Sequence, residues 1–597
     1  MEEVHLMIFH IGPVQEFIAS ARRSRDLWFG SWLLSELSKA AALEIVQQNG
    51  DDLERSLIFP APDSLSALRS DKLNVANRIV AITRKNPQIV GEAVQARVQG
   101  RLRELSEDAF SRIGNYPLDL DSAMRQIDDL VELFWVSCPL DSDYSKARSR
   151  AEALMAARKV TRDFRPSTWA APVDKSSLDG QREAVIPQSI YRELDDNKLR
   201  SIYGVRRGEK LCGVGLLKRL GRRGQEDDFL STSHVAAQPL LGRLTEKDRI
   251  HVEQYKNRLR QLGISERDLN TVSQAHPVFG HTDGHLLYIE RLREFFDGDN
   301  LIQAQQALEA FLNSVCGHDR PTPYYALLHA DGDNMGKTIS VLASIEAHKA
   351  LSRALSGFAG QVEDIVERHQ GSLIYAGGDD VLAMLPLHTV LDCARILAST
   401  FRDQMSPFGF VDETNNRIQP TLSVGIAVVH HLEPLSQALD LVRNAEKTAK
   451  SIPGKNALAV TLRKRAGSDN TVAGTWGHID KRLEWFVNLY RENDIPTELA
   501  YDLRSMAITL PQLQDIPNGQ DILLAELRRI LDRRKVPDGS REIKQEIKER
   551  LVALWIDHGL SVEQLVNELI ISREFAAVYE LAEGKTSSAH RKGGESQ

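Results

Sequence analysis

Two acidic turns carry the strongest chemical signal in the sequence. Asp331-Gly332-Asp333-Asn334-Met335-Gly336-Lys337 follows an apolar run, and Gly377-Gly378-Asp379-Asp380 lies between two others. Carboxylates gathered in one place repel each other unless cations sit among them. Hard divalent ions, Mg²⁺ or Mn²⁺, prefer such oxygen ligands and bridge them to substrate phosphates. Two of these ions about 4 Å apart clamp the attacking and leaving oxygens of an in-line displacement. The chemistry indicated is therefore transfer at phosphorus, with three or four of the carboxylates of these turns gathered about metal. Gly377 and Gly378 suit a tight turn and leave bare backbone for a nucleotide to approach. Amides opening a helix after Asp331, across Gly332, Asp333, Asn334 and Gly336, suit phosphate oxygens, with Lys337 beside them. Alone, each turn is an ordinary loop, and the EF-hand spacing is absent. A further helix end, Ala445-Glu446-Lys447-Thr448-Ala449-Lys450, aims Lys450 either at triphosphate oxygens or into an i,i+4 ion pair with Glu446.

The elements that must position these turns follow from hydrophobic periodicity. Strands are expected at 324–329, 373–375, 381–385, 421–429 and 457–460, with helices at 345–369, 389–404 and 435–450. The order β-α-β-β-α-β is the ferredoxin-like plan, an antiparallel sheet covered by helices on one face. The first strand is expected beside the strand entering the Gly377–Asp380 hairpin, so that three or four carboxylates converge. Near the N-terminus, residues 4–11 read as a strand broken by Gly12-Pro13. A helix over 14–48 follows, with an interruption expected at Phe29-Gly30-Ser31, and then strands at 78–82 and 132–137. If Gly12 matches Gly332, Ile11 and Pro13 occupy the places of Asp331 and Asp333. The first half then repeats the fold without its acids.

The expected class is α+β, with two ferredoxin-like domains separated and followed by helical regions. The expected division is 1–164, 165–320 (irregular, then helical), 321–465, 466–583 and a polar, disordered tail at 584–597. At 597 residues, roughly three to five domains are anticipated. No run reaches the roughly 18 apolar residues of a membrane helix, and the start does not read as a secretory signal. Four separated cysteines without a CxxC pair fit thiols in a reducing cytoplasm. A net charge of −8, from 75 Lys+Arg against 83 Asp+Glu, argues that any RNA is gripped together with partners. The basic runs Lys218-Arg219 with Arg222-Arg223, and Arg528-Arg529 with Arg533-Arg534-Lys535, read as solvated helix faces.

These residues resemble a known family. The 321–465 region is similar to nucleotide-cyclase and polymerase palm domains, including the GGDEF cyclases, which share Ala-Lys-x-x-x-Gly-x-Asn after the last helix. The chain more closely resembles the large subunits of type III CRISPR effectors, in particular the Cmr branch. Ile11-Gly12-Pro13-Val14-Gln15-Glu16-Phe17-Ile18, the run from Arg25 to Ser35, Asn77-Arg78 and both acidic turns carry the likeness. The resemblance implies an ATP-using synthase of cyclic oligoadenylates, triggered when guide RNA in a complex of effector subunits pairs with target RNA. It implies Mg²⁺ or Mn²⁺ at Asp331, Asp379 and Asp380, and a second nucleotide bound by the acid-free half, with Ser31 near it. Relatives often begin with an HD nuclease domain and carry a four-cysteine zinc site. Here no nuclease activity is expected, because the one His-Asp pair, His318-Asp319, reads as a loop without metal-binding histidines on helices around it. No zinc is expected, because Lys175–Gly180 and Leu211–Gly215 retain one cysteine, Cys212. The competing readings are a stand-alone dinucleotide cyclase, a catalytically silent scaffold, and a template-directed polymerase, for which no basic channel is evident.

Overall fold

The computed structural model describes residues 3–71, 73–141, 143–161, 173–221, 230–272, 274–465, 467–510, 519–556 and 560–584. The expected disordered tail therefore lies almost wholly outside the described residues, as do Arg222 and Arg223. Among the described residues no helix is long and apolar enough to cross a membrane. The class is α+β, as expected.

The first sheet has the order β2-β3-β1-β4, from β1 (His5–Gly12), β2 (Leu57–Phe59), β3 (Arg78–Thr83) and β4 (Glu132–Pro139). The second has the order β12-β11-β10-β5-β7-β6. Its strands are β5 (Tyr324–Gly332), β6 (Ser372–Gly377), β7 (Asp380–Leu385), β10 (Leu422–His430), β11 (Ala457–Leu462) and β12 (Asn470–Thr475). A two-residue-per-strand ribbon, β8 (Phe410–Val411) with β9 (Arg417–Ile418), stands apart.

The internal repeat is visible in the pairing. The series β4-β1-β3-β2 and β10-β5-β7-β6 have the same order, with every neighbour antiparallel. Matching Gly12 to Gly332 makes the pair His10↔Arg78 equivalent to Ala330↔Val381, so Asn77 takes the place of Asp380. The strand beside β5 is β7, which leaves the acidic hairpin, and not β6, which enters it; that expectation is corrected. The sheet also runs beyond residue 465, because β12 pairs along the whole of β11.

Helices α1 (Gln15–Ala19), α2 (Ser24–Gln48) and α3 (Pro87–Ser111) accompany the first sheet. The expected break at Phe29–Ser31 does not occur; the chain turns instead between α1 and α2. Gly30 sits inside α2 where α1 packs, and a Cβ there would meet Ile18 Cα at 3.5 Å. The turn falls at Ser20 because the Lys218 ammonium takes the last carbonyls of α1, from Phe17 and, at 2.8 Å, from Ser20. The opposite face is covered by α4 (Tyr144–Val160), which reaches the second half. The Tyr144 hydroxyl lies 2.6 Å from His348 Nδ1, and Arg148 donates to the carbonyls of Ser340 and Leu342.

Lys218 and Arg219, on α5 (Gly213–Leu220), do not form a solvated face. Both are buried, at 1% and 3% exposure. Arg219 is bidentate to Asp26 at 2.8 and 3.0 Å and reaches Glu209 at 3.2 Å. Despite burial, the charges of Arg219 and Arg23 hold the Glu209 carboxyl down at about 2. The two segments read as a degenerate zinc site do meet: Ser177 N–H donates to Lys210 O at 2.7 Å, and Cys212 Sγ lies 3.8 Å from Asp179.

The second sheet is buried on both faces, which accounts for its nearly unbroken apolar strands. Along β5, Tyr325 and Leu327 point into the core shared with the first half, while Ala326, Leu328 and Ala330 face the opposite core. That second core is closed by α7 (Ile345–Arg368), α8 (Leu387–Met405), α10 (Ile479–Arg491) and α11 (Val562–Glu583). Two further helices bear on the site: α6 (Met335–Ser340), directly after the first acidic turn, and α9 (Leu435–Ser451).

Candidate functional site

The Gly377–Asp380 turn joins β6 to β7 with only Gly378 and Asp379 between the paired ends. Gly378 has φ +74° and Asp379 does not share that sign, the pattern of a II′-type hairpin. Next to it, β5 ends at Asp331-Gly332, with Gly332 opposite Leu422 of β10. A Cβ on Gly332 would stand 2.7 Å from both Cβ and Oδ2 of Asp379. Only glycine at this position lets the hairpin's carboxylate approach the end of β5.

Asp331, Asp379 and Asp380 thus share one end of the sheet, and their electrostatics show it. Burial, then the charges of Asp331 and Asp380, push the Asp379 carboxyl up to about 7. The other two acids have holders. Asp380 Oδ1 lies 3.0 Å from His329 Nε2 on β5, and Lys450 on α9 contacts the Asp331 carboxylate. Lys450 is also 3.3 Å from Glu446. Burial alone would lower the His329 pKa; its hydrogen bond to Asp380 and that carboxylate's charge outweigh this and raise it. Burial opposes the Lys450 charge too, yet the pairing with Asp331 and Glu446 raises it. α9 is seated by Gly425, where a Cβ would fall 2.2 Å from Glu446 N. One turn beyond Glu446, Lys450 arrives over the strand end.

The donor set, three carboxylates of which one is strongly discouraged from ionising, fits a hard divalent cation. Among the described residues no group of three or more His, Cys, Asp or Glu side chains is placed as it stands to hold a metal ion. The lysine and histidine contacts occupy two of the three acids.

Asp333 does not join them. It is 0% exposed, and its Oδ2 accepts from Thr421 Oγ1 at 2.7 Å, Ser423 Oγ at 2.9 Å and Asn456 N at 3.0 Å. Its carboxylate ties β5 to the start of β10 and the turn before β11, so its reading as a nucleotide contact is corrected to a structural one. Asn334 enters α6 with φ +61°, and Gly336 and Lys337 are exposed, Lys337 above the Phe410 ring. Ser31 is buried. It lines a cavity of about 820 Å³ between α2 and β6, with Trp28, Trp32 and Tyr375. The role of His329 was not read from the sequence. Its position in the run His329-Ala330-Asp331, two residues before an acid on a strand, was the available signal.

A pH dependence follows for the metal-free protein. Between the ordinary aspartate value and about 7, the native state holds a proton at Asp379 that the unfolded chain releases. This group's stabilising contribution is full below that window and is lost as pH rises through 7. Asp379→Asn is expected to remove the trend, gaining about 1–3 kcal/mol over wild type on going from pH 5 to pH 8. Thermal midpoints of both proteins at the two pH values, in chelator, check it.

Comparison with known proteins agrees with this geometry. The Cas10/Cmr2 second palm domain matches residues 324–459, and the N-terminal region of CRISPR-associated protein Cmr2 matches residues 6–110. The CRISPR system Cmr subunit Cmr2 of Pyrococcus furiosus is 25% identical over 562 residues, covering 78% of this chain. This chain spans 62% of that relative's length. The Cmr2 subunit of Saccharolobus solfataricus is 34% identical over 102 residues, 15% of this chain and 10% of its own. A chain in the cryo-EM structure of apo type III-B Cmr-beta superposes with TM-score 0.60 at 15% identity, covering 98% of this chain and 82% of that one. That last likeness is one of fold. Fold and site together define a palm-domain protein. Residues 324–459 and 6–110 are similar to the Cas10/Cmr2 second palm domain and the Cmr2 N-terminal region, and the chain as a whole is similar to Cmr2 subunits of the Cmr branch.

Proposed function

We propose that this chain is the nucleotidyl-transferring subunit of an RNA-guided type III CRISPR effector, converting ATP to cyclic oligoadenylates when target RNA is bound. The observation that carries the reading is the convergence of Asp331, Asp379 and Asp380 at one sheet end, with Asp379 pushed up to about 7. Asp331, Asp379 and Asp380 would hold divalent ions there, and such ions would supply positive charge at an attacking 3′-hydroxyl and a departing pyrophosphate. The chain's own part is positioning. His329 orients Asp380, Gly332 admits Asp379, and Gly378 leaves bare backbone at the tip. Lys450 and the exposed Lys337 offer cations to the triphosphate. The acid-free first sheet and the cavity at Ser31 are assigned to the second nucleotide. Other effector subunits, guide RNA and target RNA are the proposed partners, in keeping with the net negative charge of the chain.

The test is co-expression with the neighbouring effector subunits and a guide RNA, then addition of target RNA, Mg²⁺ or Mn²⁺ and labelled ATP. Products are read by mass spectrometry. Target-dependent oligoadenylates are expected, reduced roughly a thousand-fold or more in Asp379→Ala/Asp380→Ala, a loss of at least about 4 kcal/mol of transition-state stabilisation. No product from an assembled complex that binds target RNA would favour a scaffold. Product from GTP would favour a cyclase of different substrate.

A further inference from the structure

Lys450 lies where a divalent cation would have to bind. Its ammonium contacts the Asp331 carboxylate and is held from the other side by Glu446 Oε1 at 3.3 Å. Glu446 is nearly buried, its side chain 9% exposed, and its backbone is pressed against β10 at Gly425. Asp331 is 36% exposed and Lys450 23% exposed, so both can exchange partners without opening a core. Asp379 has no ion-pair partner among the described residues, whereas Asp331 has this one. We infer that Lys450 is the site's internal counter-ion: it occupies Asp331 while no metal is bound, and a divalent cation must displace it.

The inference rests on the metal-site reading above and adds a consequence to it. An ammonium and a divalent ion compete for the same carboxylate oxygens, so Lys450 weakens metal binding in the absence of substrate. Once displaced, the ammonium stays tethered by the fixed Glu446 at the mouth of the site, where phosphate oxygens arrive. Metal binding thereby frees a cation for phosphate, and phosphate that engages Lys450 frees Asp331 for metal. The two events favour each other, and by linkage the coupling is reciprocal. The sequence offered phosphate contact and the Glu446 ion pair as alternatives for Lys450; on this view they are successive states of one side chain.

The experiment uses the full chain and Mn²⁺ alone, titrated by electron paramagnetic resonance without nucleotide. Lys450→Met is expected to bind Mn²⁺ about ten-fold more tightly than wild type. In wild type, Mn²⁺ is expected to raise the acylation rate of the Lys450 amine, followed by peptide mass spectrometry, a readout that needs no variant to fold. Unchanged or weaker Mn²⁺ binding in Lys450→Met, with no change in amine reactivity, overturns the inference and leaves the metal site standing. Absence of Mn²⁺ binding in both proteins, with Asp379→Ala/Asp380→Ala indistinguishable from them, overturns the metal-site reading and this inference with it.

Discussion

Gly332→Ala is expected to slow nucleotide transfer about a hundred-fold while leaving a folded protein. The added methyl would lie 2.7 Å from Asp379 Cβ and Oδ2 and 2.8 Å from Met335 Cγ, closer than carbon and oxygen can stand. Gly332 is not among the glycines with positive φ, so its backbone accepts alanine and the strain falls on the contacts alone. Asp379 belongs to a two-residue turn and is the part free to yield. The carboxylate should move out of register with Asp331 by the few tenths of an ångström to one ångström that costs roughly a hundred-fold in rate. Transfer activity in the assembled complex and Mn²⁺ affinity of the free chain should fall together. Circular dichroism and the melting transition should stay close to wild type. If activity survives, the close approach of the hairpin to β5 is not required for the chemistry.

The largest effect on stability is expected far from the acids. Arg219→Met leaves Asp26, at 0% exposure, without its bidentate partner, and leaves Glu209 paired with Arg23 alone, at 2.8 Å. Stranding a buried carboxylate costs about 3–5 kcal/mol. Lysine is no substitute, since Arg219 satisfies Asp26 with two parallel N–H donors and Gly204 O with a third. Hydrogen exchange should show lost protection across α2 and α5, while β5 and β10 remain protected. The double variant Arg219→Met/Asp26→Asn is expected to recover part of the loss, because the Asp26 carboxylate goes with its partner while Glu209 keeps Arg23. Equal exchange in Arg219→Met and wild type would mean that the cluster contributes nothing.

Much of the second sheet was legible because burial on both faces writes apolar runs, and the two acidic turns interrupt them cleanly. β12, Asn470–Thr475, was not, since Val472 and Ala473 stand as a lone apolar pair among Asn, Thr and Gly on an edge strand. The interruption was misplaced to Gly30 because a glycine in a helix reads as a breaker when the helix packed against it is unseen. Lys218-Arg219 read as solvent-facing for a related reason: the acid that buries Arg219 lies 193 residues away in sequence. Asp333 looked like its neighbour Asp331 until Thr421, Ser423 and Asn456 came into view as its partners. Local spacing identified which acids cluster, and only non-local packing decided which of them stay available.

β6 is the last strand of its sheet and has one hydrogen-bonded neighbour, β7. An open strand margin is a template for another chain, and proteins guard such margins against self-association. Here the guard is α2, a helix whose own core belongs to the first sheet, standing across the Ser31 cavity from β6. The first half thereby covers part of the half that bears the acids. A fragment cut to residues 321–465 would present the bare margin of β6, and the outer edge of β11 that β12 otherwise caps, to every other copy in solution.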